Sequence, residues 1–261
     1  MTMANDSAKL RDFQERLLEV LTMLDAFLRE NGIEYYLIGG SALGAVRHNG
    51  FIPWDDDVDV AMMRQTFERF ESLDFSSLAE QGLQYCRIGT NPIANGPLGY
   101  LYDRRDSDLD YEHCPTIDIF PIDGVPDSPA RRRRQFRWFL VYHLTILKRP
   151  AENRGRFARA VTKLALSILS DRLLDRLKAI AKRKMLSQSS PDSTLVANMI
   201  GRKGYWDEIM PREYFGTPAL QEFEGRPLPI PSRYDEYLTH LYGDYRTLPP
   251  LAEQHPHHKE F

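Results

Sequence analysis

The chain has 261 residues, 42% hydrophobic and 27% charged, with a formal net charge of −3. That length holds one large domain or two small ones, and the composition is ordinary for a soluble globular protein. The absence of a global basic excess argues against a bulk electrostatic grip on nucleic acid, so an anionic ligand has to be held locally. Two cysteines, Cys86 and Cys114, are too few and too isolated for a disulfide framework or a cysteine zinc site. Residues 1–11 are polar, without an apolar core of signal-peptide length, and no run of about 18 apolar residues occurs. The expected compartment is the cytoplasm.

Residues 7–30 read as an amphipathic helix, because Leu10, Phe13, Leu17, Leu21, Leu24 and Leu28 recur at steps of three and four. Asn31-Gly32 is a stop signal. A short apolar strand follows over 33–38, broken by Gly39-Gly40-Ser41. A short helix is expected over 42–48, closed by Asn49-Gly50. An acidic strand covers 57–62 and a surface helix 64–73. Strands are expected at 83–88 and 98–102, separated by a loop rich in Gly, Pro and Asn. Another strand, 116–120, ends at Pro121, and 124–129 is a turn-rich linker. Helices then cover 130–147 and 157–186. From Ser187 the chain is irregular, with an extended segment at Pro227, Pro229 and Pro231 and a short helix over 234–242. The dense aromatics of this last part need apolar surface to bury them. The expectation is a single α/β (α+β) domain: a mixed-sheet core over 33–125, a helical insertion over 130–186, and a C-terminal helical and irregular layer over 187–250 that returns to the core.

The most informative stretch is Trp54-Asp55-Asp56-Asp57-Val58-Asp59-Val60. A strand sends residues i and i+2 to one face, so Asp57 and Asp59 point together, away from Val58 and Val60. Two such carboxylates repel unless a cation joins them, and Mg²⁺ commonly takes one or two carboxylates plus phosphate oxygens. Asp118, between Ile117 and Ile119, is a third acid in an apolar strand, where it needs a partner, a metal or a sheet edge. Asp123 competes with it nearby. Gly39-Gly40-Ser41 is a strand-to-helix turn, whose small residues and helix N-terminus suit a phosphate. Asp55 and Asp56 read as loop architecture or as partners of Arg47.

A Gly-Ser turn, an Asp-x-Asp strand and a later strand Asp together resemble the nucleotidyltransferase fold. The run from Leu37 through Gly39-Gly40-Ser41, Arg47-His48-Asn49-Gly50 and Pro53-Trp54-Asp55-Asp56-Asp57 to Val60 resembles, more narrowly, the signature of the LicD family. Ile117-Asp118-Ile119-Phe120-Pro121 resembles that family's second motif. Phe223-Glu224-Gly225 and Tyr242-Gly243-Asp244-Tyr245 resemble its C-terminal pattern. About fifteen residues separate Ser41 from Asp57, longer than the generic nucleotidyltransferase pattern and typical of the LicD type. The resemblance spans about residues 33–250 and leaves 131–186 without a recognised motif.

The resemblance implies Mg²⁺- or Mn²⁺-dependent transfer of a phospho-alcohol, phosphocholine first, from a CDP-linked donor to a glycan hydroxyl, with release of CMP. The acceptor would be an envelope glycan such as lipopolysaccharide or teichoic acid. Asp57, Asp59 and Asp118 become the catalytic and metal-binding residues, and Gly40, Ser41, Arg47, His48 and Trp54 line the substrate. Arg47 suits phosphate because its fork donates two bonds; its alternative is bracing the loop. Trp54 reads first as a core cap, with stacking on a base as its alternative, and His48 reads first as a bystander. Rival readings are a nucleotidyltransferase releasing pyrophosphate and a non-catalytic glycan-binding scaffold. Arg131, Arg132, Arg133, Arg134 and Arg137 read as a solvated helix face or as a patch for the inner membrane surface, useful if the acceptor is lipid-linked.

Overall fold

The computed structural model describes residues 2–90, 98–106, 108–147, 169–201 and 203–255. Helix α1 (Thr2–Glu30) opens the fold and buries Leu17, Leu21, Leu24 and Leu28 completely. It stops where Gly32 turns left-handed, at φ 61°, and the Ile33 amide donates back to the Leu28 carbonyl at 2.9 Å. Of the expected 33–38 strand, β1 (Tyr36–Leu37) forms the ladder with its neighbour, and Ile38 adds one last bond to it. The chain leaves the sheet at once, because Gly39 takes φ 54° and swings it directly into α2 (Gly39–His48). The helix therefore begins three residues earlier than the sequence suggests. Gly39-Gly40-Ser41 is its first turn and not a loop before it.

Strand β2 (Val58–Met63) leads into α3 (Arg64–Glu71) and α4 (Ser76–Glu80). Strands β3 (Leu83–Cys86), β4 (Gly99–Asp103) and β5 (Thr116–Val125) complete the central sheet. Its order is β1-β2-β5-β4-β3, with β2 and β5 parallel and the other pairs antiparallel. The fold is therefore a mixed-sheet α+β arrangement. Strand β5 does not end at Pro121 but runs on to Val125, absorbing the start of the expected 124–129 linker. The antiparallel neighbours explain this. β4 pairs as far as Ile119, and β6 (Leu195–Ala197) begins at Asp123, so Pro121 falls between them, where no partner on that side needs its missing N–H.

Helix α5 (Pro129–Leu147) packs against α6 (Asp171–Leu186) beside the sheet. The early part of the expected 157–186 helix lies outside the described residues. No helix among the described residues is long and apolar enough to cross a membrane. After β6 come β7 (Met210–Pro211), the hairpin β8 (Ala219–Phe223) and β9 (Arg226–Ile230), and α7 (Tyr234–Tyr242). Pro227 and Pro229 are accommodated because the hairpin has only two strands, leaving an unpaired edge.

The hairpin locks onto the entry to β2. Its turn carries Glu224 at φ 49° and Gly225 at φ 75°, the two left-handed residues of a tight hairpin turn. The Glu224 carboxylate accepts two bonds from the Arg11 guanidinium, at 3.1 and 2.8 Å, and one from the Phe51 amide at 3.2 Å. Phe51 and Phe223 meet edge to face, 4.9 Å apart. A side chain at Gly50 would collide with Glu224. One carboxylate thus ties α1, the hairpin and the loop before the acidic strand.

Arg11 holds the Glu224 carboxyl below its usual range. A depressed carboxyl stabilises the fold above the unfolded-state pKa, about 4.3, and that contribution is lost as pH falls through the folded value. Glu224→Ala is expected to lower stability by about 1–3 kcal/mol, since the Phe51 amide loses its acceptor. Urea unfolding at pH 7 and at pH 4 checks this, and the gap between variant and parent must shrink at the lower pH.

Candidate active site

The register of the parallel pair β2 and β5 sets Asp59 directly beside Asp118, so both carboxylates rise from one face of neighbouring strands. Tyr100 on β4 lies opposite Asp118 on its other side. Asp57 sits on the approach to β2, two residues before Asp59. The Asp59 carboxyl is pushed well above the ordinary range, first by burial and then by the charges of Asp57, Asp118, Asp55 and Glu208. Asp59 thus feels the charge of four other acids.

Helix α2 fixes that place. The Asp59 amide donates to Ser41 Oγ at 2.9 Å, and the Asp59 carbonyl accepts from the Ile38 amide at 3.1 Å. The two glycines matter for space as well as for φ. A Cβ on Gly39 would lie 3.0 Å from Asp59 Oδ2, and one on Gly40 would lie 2.8 Å from Asp55 Oδ2. Both carboxylates thus rest against the first turn of a helix, the positive end of its dipole. Ser41 is buried and its oxygen is engaged with the strand backbone. Asp55 and Asp56 are buried in the loop, whose Asp55 carbonyl accepts from Gln14 at 2.8 Å.

Arg47 and Gly40 lie seven residues apart, hence on the same face of α2 and about 10 Å apart along its axis. The Arg47 guanidinium donates to the Tyr245 carbonyl and to His48 Nε2, each at 3.0 Å. His48 in turn meets the edge of Trp54 with ring centroids 6.3 Å apart. Burial lowers the pKa of both Arg47 and His48. These three residues form a second cluster two turns down α2, braced by the C-terminal segment. Asp123 takes no part in the site. It lies five residues beyond Asp118 on β5 and accepts two bonds from Arg64, at 2.6 and 2.7 Å.

The C-terminal segment adds groups that the sequence does not mark as site residues. Tyr237 Oη accepts the Gly39 amide at 3.0 Å. Tyr242 is 40% exposed, yet its Oη would lie 3.8 Å from a Cβ on Gly39, and the shelter of that hydroxyl end together with Asp59 pushes the phenol up. Lys203 Nζ stands 5.8 Å from the Tyr242 ring centre. Glu208 is buried, in space left by the missing side chain of Gly201. Burial pushes its carboxyl up to about 7. Nothing local distinguishes Glu208 in sequence. It is one acid among polar and aromatic residues, some 150 positions from Asp59. The aromatic content of the segment is visible in the sequence, but which rings meet α2 is not.

The donor set is all carboxylate oxygen, the hard type that suits Mg²⁺ or Mn²⁺. Among the described residues no three His, Cys, Asp or Glu side chains are gathered closely enough to enclose an ion alone. The excess of buried negative charge at Asp59 is the feature that such an ion would relieve.

Residues 32–124 match the family profile described as the LicD/FKTN/FKRP nucleotidyltransferase domain. Over 262 aligned residues, 95% of this chain and 96% of the relative, the sequence is 32% identical to the lipopolysaccharide cholinephosphotransferase LicD of Haemophilus influenzae. Over 64 residues, 24% of this chain and 12% of the relative, it is 41% identical to the human ribitol 5-phosphate transferase FKRP. The matched family profile contains the α2 turn, Asp57, Asp59 and Asp118, and the long match carries the likeness through the C-terminal segment. The chain belongs to the LicD family of transferases.

Proposed function

We propose that the protein transfers a phospho-alcohol, phosphocholine in the first instance, from a CDP-linked donor to a hydroxyl of a glycan acceptor, releasing CMP. The observation that carries this reading is Asp59, set against the first turn of α2, beside Asp118 on the parallel neighbour and raised by the charges of Asp57 and Asp118. The name of the full-length relative, a lipopolysaccharide cholinephosphotransferase, supports the cargo and the kind of acceptor. The shorter match to a ribitol 5-phosphate transferase supports the same chemistry with another alcohol. The whole chain then works as one catalytic unit, since Tyr237 and Tyr242 close the site that α2 and β2 begin.

Asp57 and Asp59 would hold a Mg²⁺ or Mn²⁺ ion, with Asp118 beside them. Such an ion, when bound, supplies neutralisation of the donor diphosphate and of the charge that develops on transfer. The protein does the positioning, which is most of the work in phosphoryl transfer. The first-turn amides at Gly40 and Ser41 face the phosphates, because the start of a helix leaves its N–H groups without helical partners. Arg47, two turns down α2 and bonded to the Tyr245 carbonyl, braces the C-terminal segment that borders the site. The acceptor oxygen attacks the distal phosphorus, and the bond from that phosphorus to the CMP oxygen breaks. The hydroxyl proton passes to Asp118, and CMP leaves with the bonding pair.

Asp59→Asn is expected to lower kcat by about a thousandfold or more, the scale set by losing a main charge-stabilising group. The same change is expected to raise the melting temperature without metal, by about 2–4 °C per kcal/mol of buried repulsion removed. Mg²⁺ should raise the melting temperature of the parent and not of the variant. A variant that is fully active, or one that unfolds, contradicts this assignment.

Product analysis tests the reaction class. CDP-choline, CDP-ribitol, CDP-glycerol and nucleoside triphosphates, each with Mg²⁺, are compared by thermal shift, and the stabilising donor is then turned over on a glycan acceptor. CMP is the expected product. Pyrophosphate would make the protein a nucleotidyltransferase, and no stabilisation by any donor would leave a non-catalytic scaffold.

A further inference from the structure

The charge of this chain is strongly segregated. Between Arg131 and Lys184 there are seventeen Lys or Arg and three Asp or Glu, a formal charge of +14. With a total of −3, the rest of the chain carries −17. The catalytic acids lie in the acidic part. The basic part has no place in the proposed chemistry, yet α5 and α6 display its cations on the surface.

Helix α6 shows the sharper division of faces. Leu174, Ala181 and Met185 are buried on its inner face. On the opposite side, Leu173, Arg176, Ile180, Arg183 and Lys184 follow one another at helical spacing, with Arg172 adjoining. All six are exposed, Leu173 by 47% and Ile180 by 41%. None of the four cations pairs with an acid among the described residues, whereas Lys178, toward the other edge, pairs with Asp175. An ordinary solvated face mixes both signs and keeps aliphatics out. This arc holds four cations, two aliphatics and no acid. On α5, Arg131, Arg133, Arg134 and Arg137 are also exposed. Beside them Trp206, 47% exposed, stands with its ring 5.3 Å from that of Phe136 on α5.

We propose that the outer face of α6, continued by the start of α5, docks on an anionic lipid surface. Cations flanking outward aliphatics on one helix are what an interfacial helix requires: charge draws it to the headgroups, and the aliphatics enter the acyl boundary. A polyanionic nucleic acid would use the cations but gain nothing from Leu173 and Ile180. The rest of the chain carries −17, so an anionic surface attracts only the face that gathers the cations. The proposal stands on charge and exposure and does not depend on the chemistry at Asp59.

The test is flotation of the full chain with vesicles of phosphatidylcholine alone and of phosphatidylcholine with an equal share of phosphatidylglycerol. Binding is expected only to the second, and it should weaken as salt is raised. The combined variant Arg172→Glu, Arg176→Glu, Arg183→Glu and Lys184→Glu should bind at least a hundredfold more weakly, since each cation contributes about fivefold near such a surface. Leu173→Ser with Ile180→Ser should weaken vesicle binding severalfold without changing the charge. All six positions are exposed, so unchanged melting temperatures confirm folding. Both variants should keep parental turnover on a water-soluble acceptor, which separates this surface from the catalytic site. Absent binding, equal binding to neutral vesicles, or parental binding by the charge-reversed variant overturns the proposal. Tighter binding to duplex RNA that ignores the two serines assigns the face to nucleic acid instead.

Discussion

The Asp59 main chain is bonded on both sides to the start of α2: its carbonyl accepts from Ile38 and its amide donates to the Ser41 hydroxyl. This double attachment welds a strand to the first turn of a helix, at a point where Gly39 and Gly40 offer no side chains to stand in the way. The parallel register then brings Asp118 alongside. Charge repulsion among these acids opposes the arrangement, and the backbone bonds hold it. A buried carboxylate that cannot relax away from its neighbours is costly in isolation, and that cost is what a divalent cation with a phosphate ligand would remove.

The C-terminal segment gives this core its closed form. It returns at three levels. Glu224 grips the loop before β2, Tyr237 accepts the first amide of α2, and Tyr245 offers its carbonyl to Arg47. Each bond spans well over a hundred residues of chain. The site therefore exists only when the whole chain is folded. Tyr242 and Glu208 come near Asp59 by the same route, and burial raises the Glu208 carboxyl.

Much of the candidate site is legible in the amino-acid sequence. Asp57, Asp59 and Asp118 are marked by acids alternating with valines and isoleucines, because a period of two exposes one face whatever the sheet order. The helices at 7–30, 64–73 and 234–242 are legible from amphipathic spacing and glycine stops. Less legible are the effects of neighbours. The sequence cannot show that Pro121 falls between β4 and β6, so it reads as a strand end. Gly39 likewise reads as a turn, although its left-handed backbone starts a helix at once. Asp118 and Asp123 look equivalent in sequence. Four residues of strand separate them, and Arg64 claims the second.

Consecutive residues alone specify the acidic strand, its carboxylate pair, the small-residue turn and the LicD family, since each has a period or motif of its own. The basic region is also visible there as composition. Packing in three dimensions is what selects the acid that neighbours Asp59, commits another to an arginine, and brings distant tyrosines and a glutamate to face the site. It also turns the cations of α6 outward beside Leu173 and Ile180. Strand register, long-range hydrogen bonds and the choice of a helix's buried face depend on what packs against each element, and that information is not local to any stretch of the chain.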